Sequence, residues 1–236
     1  LADEPPSGPE GRLPGRSVRW RGVSTSVVLL PGAPVLVPEL SGAAAADTAD
    51  QVARAVAALR SAASGCSLVV VLGSDPQGRT LCDVRASLGR WGVPIPVGRP
   101  GSPEAGDSQV PDSALLGWWF LDRAGIDLPR AFVGVPGEGS SPGDPVSDAL
   151  VVVVADGPAS LAARAPVPED PRGVALDAAL TDWVRRGGAL PDPGAAVAES
   201  VGWWTRPVWG VLARLVGERA ATRAESWAPF GVGYHC

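Results

Sequence analysis

The stretch ALVVVVA, residues 149–155, decides the fold that this sequence predicts. It is a continuous run of apolar, mostly β-branched residues of strand length, and it ends at Asp156-Gly157, a pair typical of turns. Residues 24–30 and 67–72 are similar runs, and residues 130–135 predict a further strand. Apolar runs of this kind are typical of strands buried inside a parallel sheet.

Helical patterns alternate with these strands. Starts are expected at Ser41 or Gly42, near residues 111–113, at Asp170-Pro171 and at Asp192-Pro193, with the first helix running to about residue 63. Pro31, Pro34 and Pro38 predict no regular structure directly after the first strand. A last helix carries an apolar face with the spacing i, i+3, i+4, i+7, i+8, and it is formed by Val208, Val211, Leu212, Leu215 and Val216. The tail, residues 225–236, predicts one closing strand interrupted by Pro and Gly.

This alternation predicts one α/β layered domain whose mainly parallel or mixed central sheet is flanked by helices. The order strand, helix, strand at residues 24–72 predicts parallel pairing through a right-handed crossover. Residues 1–22 are rich in Pro, Gly and charge, so we expect a disordered extension before a domain at residues 23–236. The chain contains no Lys, Asn or Met, which indicates a high-GC bacterial gene and a native start at Val23, encoded by GUG.

Composition excludes several classes of function. The net charge of −5 argues against nucleic acid as a partner, because no basic field is present to attract phosphate. No apolar run reaches the roughly 20 residues that span a bilayer, and no secretion signal precedes the domain, so we expect a cytoplasmic protein without a membrane partner. Three cysteines without a CxxC pair argue against a disulfide framework and a zinc ribbon.

Acidic and glycine residues follow the predicted strands where α/β proteins usually form their sites. Gly32, Asp75 and Asp156 stand at three such strand ends, so a shared crevice is expected there. Asp75 and Asp156 are also common turn residues, and this alternative stays open. With Glu199 they form the only attractive carboxylate set, which suits Mg²⁺ or Ca²⁺ better than iron, but their spacing does not establish that they converge.

Histidine and tryptophan give weaker indications. His235 is the only histidine, and so near the terminus it predicts a surface or edge-strand residue rather than a catalytic one. A non-haem iron site usually needs two histidines and one carboxylate, which this chain cannot supply. The pairs Trp118-Trp119 and Trp203-Trp204 predict core or interface packing, with an aromatic-ligand pocket as the alternative.

Four motifs carry a family resemblance. PGAPVLVPELSG (31–42) resembles the first-strand signature of proteins related to the catalytic B subunit of class III extradiol ring-cleavage dioxygenases. VVVVADGPASLAARAP (151–166), PVWGVLARL (207–215) and APFGVGY (228–234) are similar to later motifs of a branch of that family found in high-GC bacteria. The matches keep their order from about residue 23 to residue 234.

The resemblance implies an Fe(II) site that opens catechol rings with O2, built from two histidines and a glutamate, with a catalytic histidine nearby. Position by position, the first ligand histidine falls on Gly32, the second near Ser74 or Asp75, and the catalytic histidine near Ser160. The glutamate corresponds to Glu199. The resemblance therefore supports the fold but not the iron chemistry, because glycine has no ligating side chain and serine is a poor base near neutral pH.

Three functions are compatible with these residues. We expect a catalytically degenerate relative, without a metal or other cofactor, that binds a small ligand such as an aromatic compound, or a protein partner or second copy, in the old active-site crevice. The alternative is a metal-dependent oxidoreductase or hydrolase with a rebuilt carboxylate site. A third interpretation is an obligate subunit whose partner supplies the missing groups.

Overall fold

The computed structural model describes residues 25–139 and 147–236. Its strands are β1 (Ser26–Leu30), β2 (Leu68–Ser74), β3 (Thr80–Cys82), β4 (Ala86–Ser87), β5 (Pro96–Val97), β6 (Arg130–Val135), β7 (Ala149–Val154), β8 (Ser226–Trp227) and β9 (Tyr234–His235). Its α-helices are α1 (Pro38–Ser41), α2 (Ala49–Ala62), α3 (Asp112–Arg123), α4 (Pro171–Arg186), α5 (Ala195–Ser200) and α6 (Arg206–Val216). The predicted extension at residues 1–22 lies outside the described residues.

The central sheet has five strands in the order β1-β7-β2-β6-β3. The first four are parallel to their neighbours, and β3 is antiparallel to β6 at the edge. The expected mixed α/β sheet is therefore confirmed. The expected direct pairing of the first two strands is wrong, because β7 lies between them and places Val152 opposite both Val28 and Val71.

Helices cover both faces of this sheet. Every residue of β7 is buried, and successive side chains point to opposite faces, as the pleat of a strand requires. Leu150, Val152 and Val154 pack with α2 and α3, whereas Val151 and Val153 pack with α4 and α6. Burying an aliphatic side chain contributes roughly 1.5–3 kcal/mol, so an all-apolar strand is stable here only with cover on both sides.

The structure differs from the sequence-based expectations mainly at the starts of helices. Pro34 begins a 3-10 helix at Pro34–Leu36 and Pro38 begins α1, so prolines start regular structure here instead of preventing it. A proline at the first helical position loses nothing, since its missing N–H would have no helical partner. Neither Ser41 nor Gly42 caps the long helix, which follows a second 3-10 segment and begins after Thr48.

The chain closes with a hairpin of its own. β8 and β9 pair with each other in antiparallel fashion, with Ser226 opposite His235, so the expected single closing strand is two short strands. The predicted start of α4 is confirmed, because the Asp170 side chain accepts a hydrogen bond from the Arg172 main-chain N–H at 2.8 Å. Among the described helices, none is long and apolar enough to cross a bilayer.

Candidate functional site

A crevice of about 410 Å³ opens at the carboxyl edge of the sheet, where β1, β7 and β2 end side by side. Gly32, Asp156 and Asp75 follow these three strands, and all three line this carboxyl-edge crevice. The opposite wall comes from the start of α3 and the loops near it, and the lining there is Arg79, Arg90, Ser108, Val110, Pro111, Asp112 and Ser113. The sheet topology thus brings together residues that are more than 120 positions apart.

Asp156 lies in an apolar part of the crevice without a cation beside it among the described residues. Its Oδ1 accepts a hydrogen bond from the Gly32 main-chain N–H at 2.8 Å. Burial raises the pKa of the Asp156 carboxyl to about 6, although the Gly32 hydrogen bond acts in the opposite direction. Part of the side chain faces the crevice, so Asp156 can exchange a proton or a hydrogen bond with a bound molecule near neutral pH.

The main chain of Asp156 is held by the residues that begin α6. Its carbonyl oxygen accepts a hydrogen bond from Thr205 Oγ1 at 2.6 Å and another from Trp209 Nε1 at 2.9 Å. Trp209 is fully buried and Thr205 itself lines the crevice. Two donors on one carbonyl fix the position of the turn after β7, so the carboxyl group is presented to the crevice in a defined place.

Asp75 has the opposite environment. Its buried carboxylate accepts hydrogen bonds from the Arg79 main-chain N–H at 2.7 Å, from Arg79 Nε at 3.0 Å and from Arg79 Nη2 at 2.8 Å. These bonds hold the pKa of the Asp75 carboxyl below its usual value. Arg79 Nη1 donates to the carbonyl oxygens of Ser108 and Gln109. Asp75 therefore supports one wall and has few lone pairs left for a ligand.

A glycine of the neighbouring strand makes this ion pair possible. A Cβ atom at Gly134 would lie 2.7 Å from Asp75 Cβ and 2.8 Å from Asp75 Oδ2. On the other side, Arg90 pairs with Asp112 at 2.5 Å and donates to the Val110 carbonyl oxygen at 2.8 Å. The guanidinium groups of Arg79 and Arg90 keep about a quarter of their side-chain surface exposed, 28% and 25%, and are the cationic groups of this wall.

Ser160 and Glu199 lie apart from this group. Ser160 is fully buried, and its Oγ is close to Gly173, where an added Cβ would lie only 2.1 Å away. Glu199 is exposed on α5. Neither belongs to the crevice lining as the described residues form it. Of the five residues proposed from the sequence, Gly32, Asp75 and Asp156 thus meet at one place.

His235 is on a short edge strand, as expected, but it is buried and not at the surface. Its Nδ1 is 2.9 Å from Ser226 Oγ, and its Nε2 is 3.0 Å from Asp177 Oδ1. Its ring packs edge-on against Trp209 with 5.3 Å between the ring centroids. The histidine therefore connects the closing hairpin to α4 and lies behind the residues that hold Asp156.

Three of the four paired tryptophans follow the packing interpretation. Trp118, Trp119 and Trp203 are buried, whereas Trp204 has 56% of its surface exposed. None of the four contributes to the crevice as described, so stacking on tryptophan does not contribute to recognition there. Trp204 directly precedes Thr205 and is an apolar surface beside the crevice.

The donor set does not fit the Fe(II) that the resemblance implies. Gly32 contributes no ligand, and the Asp75 carboxylate already accepts several hydrogen bonds from Arg79. Within residues 25–139 and 147–236, no three His, Cys, Asp or Glu side chains are close enough together to hold a metal ion.

Sequence reasoning missed the residues that control the two carboxylates. Arg79 follows Asp75 by four positions, but the two residues lie in a turn and not on a helix, so this spacing was only a weak signal of an ion pair. Thr205 carries no comparable signal, because its partner is the carbonyl oxygen of a residue 49 positions away. Arg90 and Asp112 are likewise brought together only by the fold.

Comparison with known proteins adds no family assignment. No protein-family model matches the chain, and no curated protein matches its sequence. The resemblance to extradiol dioxygenases remains a prediction from short motifs.

Proposed function

We propose that this chain binds a small polar ligand in the carboxyl-edge crevice and does not carry out iron-dependent ring opening. The observation that carries the proposal is the position of Asp156, a carboxyl group with a pKa of about 6 that faces a crevice of about 410 Å³. This volume is near the lower end of the usual range for ligand sites, roughly 300–1,000 Å³, and suits a small molecule.

The lining indicates the chemistry of the ligand. Asp156 accepts hydrogen bonds from hydroxyl or amine groups, and Arg90 on the facing wall has N–H donors beyond those that bind Asp112 and Val110, which favours a carboxylate or another anion. The lining combines charged and polar side chains with small apolar residues such as Val110, Pro111 and Val154. We infer a ligand that carries a hydroxyl group at one end and an anionic group at the other, with or without an aromatic ring between them.

Three probes separate these contributions: 3,4-dihydroxybenzoate carries both groups, catechol lacks the carboxylate, and benzoate lacks the hydroxyls. Melting-temperature shifts and calorimetric titration at pH 7.5 should rank 3,4-dihydroxybenzoate first. Asp156→Asn should lower the affinity for the two dihydroxy compounds by about tenfold and leave the affinity for benzoate unchanged, since one hydrogen bond to a charged group contributes about 1.5–3 kcal/mol. Asp182→Asn, in an exposed ion pair on α4, is the matched control.

Iron provides the decisive contrast. The same titrations are repeated anaerobically with added Fe(II), followed by metal analysis and by oxygen consumption after air is admitted. The proposal expects unchanged ligand binding, substoichiometric iron and no ring-opened product. Tightly held iron at one equivalent per chain, or oxygen uptake that requires iron and catechol together, would overturn it.

A second candidate is acid–base catalysis by Asp156 without iron, as in a hydrolase. The raised pKa favours it, because a general acid or base is most effective when its pKa is near the working pH. Turnover of any ester or lactone substrate should then follow a single group with a pKa near 6 and be lost in Asp156→Asn. A turnover that survives this substitution would remove the catalytic role.

A further inference from the structure

A second concave surface lies on the side of the molecule, along the free edge of the sheet. This β1 groove has a volume of about 740 Å³ and is lined by five consecutive residues, 25–29. Small residues of α2, among them Ala57 and Ala58, form one wall, and Trp183, Leu212 and Val216 form the other. Since these helices cover opposite faces of the sheet, a groove that touches both must run along the strand edge.

Within residues 25–139 and 147–236, the strand at this edge pairs with a neighbour on one side only. β1 is the terminal strand of the sheet and pairs with β7 on one side. The Leu30 carbonyl oxygen accepts a hydrogen bond from the Ala155 N–H, so Leu30 and Val28 direct their main-chain groups towards β7. By the alternation of a strand, Val27 and Leu29 direct their N–H and C=O groups into the groove.

The two edges of the sheet differ in how they are protected. β3, at the opposite edge, has three residues and is followed by the charged residue Asp83. A short edge strand with a charge beside it is a usual way to prevent pairing with another chain. β1 has five residues, SVVLL, without a charge or a proline. An uncharged edge strand between two apolar walls is the geometry by which proteins accept an additional extended strand.

The charge of the β1 groove indicates which kind of strand it accepts. Among the residues that the structure describes, the β1 groove is lined by Arg54, Arg219 and Arg223 against one acid, Glu225, a local surplus of two positive charges on a chain whose net charge is −5. Arg54 already pairs with Glu225 at 2.9 Å, and Arg223 is exposed. A second copy of the chain would bring two positive rims together, which disfavours pairing of β1 with itself.

We propose that the β1 groove binds an extended segment of a partner protein, with apolar central residues and acidic flanks, that pairs with β1 as a sixth strand. Val27 and Leu29 exchange main-chain hydrogen bonds with it, the apolar walls hold its central side chains, and the arginines contact its acidic ends. This surface is separate from the carboxyl-edge crevice, and the inference does not depend on the proposed ligand.

The test uses the full chain and a fluorescein-labelled peptide, DEVTVIED, followed by anisotropy. Val27→Pro removes the N–H that points into the groove, and prolines are tolerated on edge strands, so affinity should fall at least about tenfold. Val27→Ala keeps this donor and should change affinity by less than about threefold. A peptide methylated on alternate main-chain nitrogens probes the same bonds if Val27→Pro does not fold.

Charge is tested separately. Arg223→Glu should lower the affinity for DEVTVIED by about fivefold and make this affinity less dependent on salt. Arg164→Glu, an exposed change of equal charge outside the groove lining, should have neither effect. The proposal is overturned if the basic peptide RKVTVIKR binds as well, or if Val27→Pro and the methylated peptide have no effect. It is also overturned if light scattering shows a dimer that Val27→Pro dissociates, or if DEVTVIED binds only after residues 1–22 are removed.

Discussion

Two carboxylates line the same crevice at the ends of adjacent strands, yet their environments are opposite. On the Asp75 side, Arg79 provides several hydrogen bonds and the pKa of the carboxyl is lowered. On the Asp156 side, burial dominates and the pKa rises to about 6. The difference teaches that an acidic residue at a strand end is structural or available according to its partner, and that of these two carboxylates only Asp156 is available to a ligand.

The largest effect is expected from Asp75→Ala, which leaves the guanidinium of Arg79 without its partner. Breaking a buried ion pair costs about 3–5 kcal/mol. Because Arg79 is partly exposed, we expect the free energy of unfolding to fall by about 3 kcal/mol, the lower end of this range. Urea unfolding at pH 7 measures it. Asp182→Ala breaks an exposed pair 3.5 Å long and should cost less than about 0.5 kcal/mol. Equal losses in the two variants would mean that Asp75 is not structural.

Asp156→Asn should stabilise the fold near neutral pH, in contrast to Asp75→Ala. Because the folded pKa of about 6 is above the unfolded value of 3.8, the stabilising contribution is complete below about pH 4 and is lost as the pH rises through 6. At pH 8 the ionised group therefore costs the fold about 2–3 kcal/mol, which asparagine removes. Unfolding curves at pH 4 and pH 8 should show equal stability at pH 4 and a more stable variant at pH 8.

The contributions of Asp75 and Asp156 to the free energy of unfolding should change with pH in opposite directions. The lowered pKa of Asp75 gives a contribution that is present above pH 3.8 and is lost as acid protonates the carboxylate. A variant of Asp156 that still lost stability between pH 4 and pH 7 would show that another group causes this loss.

Two glycines test how tightly each side is packed. Gly134→Ala should cost about 2 kcal/mol, since the new Cβ meets Asp75 and also lies 3.0 Å from the Arg79 main-chain nitrogen. Gly32→Ala should cost about 1 kcal/mol, because its closest neighbour is one methyl group, Val154 Cγ1 at 2.9 Å. Thermal unfolding of both variants measures the difference. The reverse order would mean that the Asp156 side is the more rigid one.

The smallest effect is expected from Thr205→Val. It removes the 2.6 Å hydrogen bond to the Asp156 carbonyl oxygen but leaves the bond from Trp209, so stability should fall by about 0.5–1 kcal/mol. Ligand affinity should fall more than stability suggests, because the turn that presents Asp156 is less well fixed. Calorimetric titration with 3,4-dihydroxybenzoate measures this, with Val208→Ala, a core change in α6, as a stability control.

Much of the fold could be predicted from particular residues. The run at residues 149–155 predicts β7, the Asp170-Pro171 pair predicts the start of α4, and residues 130–135 match β6. These elements depend on interactions within a few residues, which a local pattern records. The order of the strands could not be predicted, because β7 enters between β1 and β2 after about 75 intervening residues that carry no pairing signal.

The candidate site divides in the same way. The positions of Gly32, Asp75 and Asp156 after strands predicted that they would share an edge, and they line one crevice. Ser160 and Glu199 came from motif correspondence, and the fold places them elsewhere. His235 could not be placed, because its burial depends on Ser226 and Asp177, which reach it through the closing hairpin and α4.

The spacing of apolar residues and the choice of turn residues depend on interactions between neighbours in sequence. These local patterns were sufficient to specify an α/β chain with acidic residues at its strand ends. Which carboxylate obtains a cation and which is left in an apolar setting was decided only by the packed molecule. The cost of desolvating a charge depends on the groups around it in space, and for Asp156 the donors that fix its turn come from residues about 50 positions away.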